Sequence, residues 1–319
     1  ISKLDEENER TLKSTIDVYR KLGAILTFDC TPFFENNVPR FGEICSFSAS
    51  GGAVYVNSVL GARTNREAAQ SAMCAAITGV TPEYGLLLEQ NRAGDVLIQV
   101  EADVDSEYGY ELLGYITPKK MGQAYHCPVF NGLSKQTTSE QLMDLGTQLN
   151  IHGIVPMFHV VGVTPEAADV HTAFLGRKDP PVVTITNEDL AQARAEISAG
   201  TGKADFCILG CPHLTINQVG SIAKMLDGQQ LAGQLYIFTS TSTKELAQRM
   251  GYLDIIHKAG GEIVINSCVD QPCWSHLYGM SGVTESPKCA YYTKRWNMTF
   301  TVKSIPACIQ SVLKGEIVS

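Results

Sequence analysis

The chain has 319 residues, of which 44% are hydrophobic and 18% charged, a composition typical of globular proteins. Its net charge of −8 is spread along the sequence, so the concentrated basic footprint that nucleic-acid binding usually needs is missing. The sequence lacks an apolar run of roughly 18 residues, and its acidic start lacks the apolar core of a signal peptide. These features predict a cytoplasmic protein of two or three domains that binds neither nucleic acid nor membranes.

Strand-like apolar runs alternate with amphipathic helical stretches along the chain, which predicts an α/β layered fold with largely parallel sheets. Strands are predicted at 24–29, 53–56, 96–100, 154–160, 182–186, 206–209, 235–238 and 262–266. Helices are predicted at 5–22, 64–77, 137–149, 187–198, 215–227 and 242–259, with Gly79 ending the second. The prolines at 180 and 181 suggest a boundary between a first region, 1–180, and a second, 181–319.

Ten cysteines are too few for a disulfide scaffold in a chain this long. Three of them, Cys30, Cys211 and Cys268, follow predicted strands, and ligands collect at the carboxyl ends of parallel strands. Three converging thiolates could hold an iron–sulfur cluster by three corners and leave one iron open to a substrate hydroxyl. The spacing equally allows three buried cysteines that pack as small hydrophobes. Six cysteines belong neither to this set nor to the possible zinc site described next. They are predicted to be core residues: Cys45, Cys74, Cys127, Cys207, Cys289 and Cys308.

A rival metal arrangement joins Cys268, Cys273 and His276, completed by Cys211 or His213. Mixed cysteine and histidine ligands suit zinc, and such a site would make the chain a zinc-stabilised, non-catalytic binding module.

Residues 57–67 are predicted to run from a strand end through a glycine turn into a helix N-terminus, where backbone N–H groups favour anions. Two arginines can fork onto a carboxylate or phosphate, and Arg40 in the preceding turn could add a third contact. The alternative is an ordinary loop with a capped helix and solvated arginines. The candidate substrate-binding residues are Arg40, Asn57, Ser58, Arg63, Thr64, Asn65 and Arg66.

His159 at a predicted strand end and His213 beside Cys211 are the histidines best placed for acid–base work or for orienting ligands. A structural role is the alternative for both.

Taken together, these segments resemble the large subunit of the aconitase X family. The matching stretches keep their order over almost the whole chain: 30–32, 38–43, 57–67, 78–85, 159–167, 210–213, 249–252, 259–261 and Cys268. The resemblance implies aconitase-like α/β/α domains and a hydro-lyase that dehydrates a small hydroxy-carboxylate. It also implies iron on Cys30, Cys211 and Cys268, as a 4Fe–4S or 2Fe–2S cluster or as mononuclear iron.

The family's activities include dehydration of cis-3-hydroxy-L-proline to pyrroline-2-carboxylate and dehydration of phosphomevalonate. The Gln-, Asn- and Cys-containing composition is mesophilic in character and favours the hydroxyproline activity, whereas residues 64–67 favour the phosphomevalonate branch.

The resemblance further implies a small swivelling domain or subunit that carries a catalytic serine, and the catalytic candidates His159, His213, Ser58 and Lys288 on this chain. Two departures from the family concern these roles. First, the large subunit of the family begins well before the position that corresponds to Ile1, which suggests that the sequence is partial. In addition, Pro287 replaces a glycine before Lys288 and restricts the backbone of that turn.

Overall fold

The computed structural model describes residues 4–318. Its contacts define two compact units. The arginine unit is Pro32–Glu196, and the cysteine unit combines the chain through Thr31 with the chain from Ile197 onward. The predicted division at residues 180 and 181 stays a prediction, and the two contact-defined units are used below.

The helices and strands alternate along the chain, as an α/β fold requires. The helices are α1 (Glu6–Lys21), α2 (Ser50–Ser58), α3 (Ala69–Thr78), α4 (Glu107–Met121), α5 (Ser139–His152), α6 (Val170–Ala173), α7 (Asn187–Ile197), α8 (Ile216–Leu226), α9 (Thr241–Arg249), α10 (Tyr252–Ala259), α11 (Pro287–Tyr292) and α12 (Ile305–Lys314). The strands are β1 (Val96–Val100), β2 (Pro128–Asn131), β3 (His159–Val160), β4 (Val182–Ile185), β5 (Phe206–Leu214), β6 (Gln234–Thr239), β7 (Gly261–Val264), β8 (Ser281–Thr284) and β9 (Thr299–Val302).

Each unit contains one parallel sheet, so the predicted α/β class with parallel sheets is confirmed. The arginine unit has the strand order β3-β2-β1-β4, with Leu97 of β1 paired to Val182 of β4. The cysteine unit has the order β7-β6-β5-β8-β9, which makes β5 the central strand.

Side chains of β5 alternate between two buried faces. Cys207 and Leu209 pack with α8, α10 and α12 on one face, whereas Phe206 and Ile208 pack with Trp274 on the other. A parallel strand that is covered on both faces is apolar at consecutive positions, which is why this run was recognisable in the sequence.

Several predicted elements are wrong in type or extent. The predicted strand at 53–56 is part of α2, because a short apolar run does not distinguish a buried helix from a buried strand. The predicted strand at 24–29 is irregular chain, with Ile25 87% exposed. The predicted helix at 64–77 begins only at Ala69, although Gly79 ends it in the left-handed conformation as expected.

The predicted helix at 242–259 is two helices, α9 and α10, separated at Gly251 with φ 76°. Of the predicted strand at 154–160 only β3 is extended. The elements that were not predicted are α4, α6, α11, α12, β2, β8 and β9. Within residues 4–318, no helix combines the length and apolar character needed to cross a membrane.

Candidate functional site

Cys211 lies where β5 departs from regular pairing. The register with β6 shifts between Leu209 and Leu214. Gly210 has φ 110°, and a side chain there would place its Cβ 2.3 Å from the Phe238 carbonyl oxygen. Only glycine fits this conformation and this close approach. The bulge that carries Cys211 is therefore dictated by Gly210.

His213 links the three cysteine-bearing segments of the cysteine unit. Its backbone N–H donates to Cys30 Sγ over 3.2 Å. Its ring Nδ1 lies 2.9 Å from Asp29 Oδ1, beside Cys30, and its Nε2 lies 3.1 Å from the Ser267 carbonyl oxygen, beside Cys268. One buried side chain thus ties the loops of Cys30 and Cys268 to the strand that carries Cys211.

The ring of His213 is positively charged in this arrangement. Both ring nitrogens face acceptor oxygens, of the Asp29 carboxylate and the Ser267 carbonyl group, so both donate. Burial by itself lowers the pKa of His213, but the electrostatic interaction with Cys30 and the hydrogen bond to Asp29 outweigh it and raise that pKa to about 10. This geometry suits an orienting residue that holds ligand loops better than a proton donor.

Asp29 completes this network from the other side. Burial raises the pKa of Asp29, but hydrogen bonds from His213 and Thr31 outweigh it and the net pKa is lowered. Its Oδ1 accepts from the Thr31 N–H and hydroxyl over 2.9 and 3.0 Å. Among residues 4–318 no partner meets its buried Oδ2, which leaves a carboxylate oxygen available near Cys30.

The three candidate thiols influence one another electrostatically. Burial is the main cause that raises the pKa of Cys211, and negative charge on Cys268 and Cys30 raises it further. Desolvation likewise raises the pKa of Cys268, with Cys30 contributing in the same direction. Charge on Cys30 and Cys268 therefore opposes ionisation of Cys211.

Lys288 supplies a compensating positive charge. Pro287 occupies the first position of α11, where its fixed φ suits a helix, and Ser286 caps that helix by accepting from the Cys289 N–H over 3.2 Å. The charge of Lys288 lowers the pKa of Cys211. Pro287 thus fits the start of α11, and Lys288, which follows it, opposes the rise in the pKa of Cys211 and Cys268.

This donor set fits an iron centre. The raised pKa values of Cys211 and Cys268 mean that these thiols gain from a cation that deprotonates them, and sulfur ligands suit iron–sulfur clusters. In the described part of the chain, the ligand atoms of Asp29, Cys30 and His213 all lie within 4.8 Å of one another. Because both ring nitrogens of His213 donate, Cys30 and Asp29 are the members of this group that can bind a metal. In a cluster each thiolate binds its own iron, so the three sulfurs need not meet at a single ion.

The rival zinc ligands do not gather in residues 4–318. Cys273 is buried against Trp274, and His276 is exposed with its ring against the same tryptophan. Neither belongs to a group of three metal-ligand atoms.

Four of the predicted core cysteines are buried, Cys127, Cys207, Cys289 and Cys308. The prediction is wrong for Cys74, which is exposed because no residue of α3 is buried.

The candidate substrate loop, residues 57–67, lies in the arginine unit and starts in the last turn of α2, so its predicted strand end is wrong. Asn57 is fully buried and closes the loop on itself. Its Nδ2 donates to the Thr64 carbonyl over 2.9 Å, and its Oδ1 accepts from the Thr64 N–H over 3.0 Å. Thr64 also accepts from the Phe47 N–H over 2.9 Å. Asn57 and Thr64 therefore shape the loop.

Ser58 and Asn65 also bond to the surrounding backbone. Ser58 Oγ accepts from the Phe158 N–H over 2.9 Å. Asn65 donates to the Tyr84 carbonyl over 3.1 Å and accepts from the Leu86 N–H over 2.9 Å.

The three candidate arginines differ in their surroundings. Arg63 donates to the Leu87 carbonyl over 3.0 Å and forms an ion pair with Glu89. Arg66 is exposed and donates to Asn150 Oδ1 over 3.0 Å. Arg40 is exposed as well. Of the three, Arg40 and Arg66 are therefore the exposed residues, whereas Arg63 is half-buried.

Arg92 was not among the residues predicted from the sequence, yet it stabilises this loop through buried hydrogen bonds. It is 2% exposed and its Nε donates to both carboxylate oxygens of Glu166 over 3.0 and 2.9 Å. Its terminal nitrogens donate to the Asn57 side chain and to the carbonyl groups of Asn57 and Ala62 over 3.1 to 3.2 Å. The acceptors lie far apart in the sequence, so no local motif predicts the role of Arg92.

His159 lies on β3 at 1% exposure, and its Nε2 is 2.8 Å from the Arg92 carbonyl oxygen. A carbonyl group only accepts, so Nε2 carries the proton. Burial lowers the pKa of His159 from 6.5, more than the Arg92 carbonyl raises it. This environment favours the structural alternative for His159.

The buried His159 predicts a specific loss of stability in acid. Below pH 6.5 the unfolded chain binds a proton that the folded chain rejects, so the free energy of unfolding falls as pH drops through this window. The loss is at most about 1.4 kcal/mol per pH unit. Urea unfolding at several pH values, compared between the parent and His159→Gln, isolates this effect because other titrating groups are shared. Identical pH dependence in the two proteins would contradict it.

The sequence matches three domain models of one family over nearly all of its length. The models are the aconitase X first domain over residues 2–90, the second domain over 94–195 and the third domain over 204–314.

Individual relatives agree with these matches. The phosphomevalonate dehydratase large subunit of Thermococcus kodakarensis is 34% identical over 309 residues, covering 96% of this chain and 78% of the relative. The cis-3-hydroxy-L-proline dehydratase of Pseudomonas aeruginosa is 34% identical over 264 residues, covering 80% of this chain and 45% of the relative. The name of the first implies a small-subunit partner for that protein.

A solved structure of Thermococcus kodakaraensis aconitase X in its holo-form superposes with a TM-score of 0.87 at 32% identity, covering 98% of this chain and 79% of that one. On the evidence of its sequence, its three matched domains and its fold, the chain belongs to the aconitase X family.

Proposed function

We propose that this chain is the iron-binding large part of a dehydratase that removes water from a small hydroxylated carboxylate. The observation that carries this proposal is the contact set of His213, which ties together the segments of Cys30, Cys211 and Cys268. Burying a charged ring costs free energy, so its place between three cysteine segments is better explained by the orientation of metal ligands than by packing alone.

Five residues of the cysteine unit have a role in this proposal. Cys30, Cys211 and Cys268 would hold an iron–sulfur centre, which when bound supplies an open iron as a Lewis acid for the departing hydroxyl. His213 holds the ligand loops in place, and Lys288 offsets the negative charge of the thiolates.

In the arginine unit, Arg40 and Arg66 are proposed to bind the substrate anion, because both residues are exposed and a guanidinium group can fork onto carboxylate or phosphate oxygens. Asn57, Ser58, Thr64 and Asn65 maintain the loop that carries Arg66. A serine of the small partner is proposed to remove the proton next to the carboxylate.

Phosphomevalonate is the first candidate substrate. At equal identity, the relative named for phosphomevalonate dehydration aligns with 96% of this chain, against 80% for the relative named for hydroxyproline dehydration. The coverage of the relatives thus favours phosphomevalonate, whereas the amino-acid composition favoured hydroxyproline. Composition reflects growth temperature more than it reflects the substrate. The second candidate is cis-3-hydroxy-L-proline, favoured by the Pseudomonas relative.

The substrate test compares both compounds on one preparation. The chain is purified anaerobically with its small partner and assayed with phosphomevalonate and with cis-3-hydroxy-L-proline, following substrate loss by NMR. Turnover of phosphomevalonate with at least about 100-fold lower kcat/KM for hydroxyproline is expected, because a site built to bind phosphate discriminates strongly against a ligand without it. The reverse ratio would assign the hydroxyproline activity, and turnover of neither compound by iron-loaded complex would reject both.

A further inference from the structure

A buried carboxyl group lies beside the bulge that carries Cys211. Glu285 is 6% exposed and immediately follows β8, the neighbour of β5. Its Oε1 accepts from the Gly210 N–H over 2.7 Å and from the Cys211 N–H over 3.3 Å. A single oxygen atom thus holds two consecutive backbone N–H groups of the bulge.

These N–H groups need such an acceptor. Pairing between β5 and β8 covers Phe206 and Cys207, and pairing with β6 breaks after Leu209. The backbone of Gly210 and Cys211 therefore lies beyond the regular ladder, where a buried N–H without an acceptor costs about 1–3 kcal/mol. Glu285 replaces the missing strand partner.

The second oxygen of Glu285 is also fixed. The Thr284 hydroxyl donates to Oε2 over 3.3 Å, and the Ser286 N–H donates to that hydroxyl over 3.3 Å. The carboxyl group is therefore held in orientation by the turn between β8 and α11, the same turn that presents Lys288.

We infer that Glu285 is a positioning residue that fixes the direction of the Cys211 thiol through the backbone of the bulge. The inference rests on the proposed function, since Cys211 is a ligand only if the chain binds iron. A buried carboxyl group is a costly way to satisfy two N–H groups unless the thiol of Cys211 must point in one direction. Residues that hydrogen-bond to a metal ligand typically change metal affinity or activity by about 10–100-fold when they are removed.

The test uses two variants of Glu285 and one matched control. Glu285→Gln keeps an acceptor oxygen for both N–H groups, whereas Glu285→Leu keeps only the volume. Asp205→Leu serves as the control, because Asp205 accepts from the Ser281 N–H over 3.1 Å at the opposite end of β8. It removes a comparable bond in the same sheet without touching the cysteine segments.

The first readout is metal-independent. In metal-free protein, alkylation of Cys211 by iodoacetamide, followed by mass spectrometry, should be at least about 10-fold faster in Glu285→Leu than in the parent. Glu285→Gln and Asp205→Leu should match the parent, with Cys30 and Cys268 as internal references. An unchanged Cys211 rate in folded Glu285→Leu would overturn the inference. If Glu285→Leu does not fold, Glu285→Asp takes its place, because aspartate is too short to reach both N–H groups. The same rise in the Cys211 alkylation rate is then expected, and an unchanged rate would overturn the inference.

The second readout is iron and sulfide content after anaerobic reconstitution of the complex with its small partner. Glu285→Leu should retain iron about 10–100-fold less tightly, with an altered cluster spectrum, while Glu285→Gln stays near the parent. If the parent itself binds no iron but the Cys211 rate still rises in Glu285→Leu, the proposed function fails and the positioning role stands. Normal iron retention in Glu285→Leu would limit the role of Glu285 to the fold and overturn the inference.

Discussion

Cys211→Ala is expected to lose bound iron and turnover together. The substitution removes one of three thiolates, and Cys211 is the one whose pKa responds to both of the others and to Lys288. The effect should exceed the roughly 10–100-fold loss that is typical of removing a residue that only hydrogen-bonds to a metal ligand, because here the ligand itself is lost. Iron and acid-labile sulfide per chain, with kcat on the same preparation, measure both consequences.

The matched control is Cys308→Ala. Cys308 is fully buried in the core of the same unit, and its loss should cost about 1 kcal/mol of stability without changing iron content. A Cys211→Ala protein with full iron and full turnover would remove Cys211 from the site.

His213→Phe is expected to weaken iron retention by about 10–100-fold while the protein stays folded. Phenylalanine fills the volume but releases both ring contacts, with Asp29 and with the Ser267 carbonyl group, so the segments of Cys30 and Cys268 lose their common anchor. The Asp29 carboxylate is also left without its cationic partner. The rate of iron release to a chelator measures the effect, with circular dichroism as the check on folding.

Two further variants separate anchoring from a general histidine effect. His213→Gln can keep one of the two ring contacts and should release iron at an intermediate rate. His257→Phe changes a partly exposed histidine on α10 of the same unit and should leave iron retention unchanged. Equal release rates for the parent and His213→Phe would show that the anchor is dispensable.

Part of the sheet architecture could be predicted from the sequence, because strands buried on both faces are continuous apolar runs. The runs at 96–100, 206–209 and 235–238 became β1, β5 and β6. The run at 53–56 has the same composition but became the buried helix α2, since burial on all sides erases the periodicity that distinguishes the two.

The candidate site was predictable only in part. Cys268 follows β7 as expected, and Cys211 lies in the bulge of β5. Cys30 follows no strand and reaches the site through the bond between Cys30 and His213, which are 183 positions apart. Such a contact has no local signature.

Arg92 and Glu285 were missed for the same physical reason. Each stabilises backbone groups that belong to other elements, so its role exists only after folding. A lone arginine or glutamate in the sequence is more often a solvated surface residue.

Anaerobic metal and sulfide analysis of the chain, purified together with its small partner, tests the central claim most directly. That claim is that Cys30, Cys211 and Cys268, joined by His213, hold iron. A brown complex that contains iron and loses it in Cys211→Ala is the predicted result. Colourless protein that contains zinc, with unchanged metal content in Cys211→Ala, would contradict it.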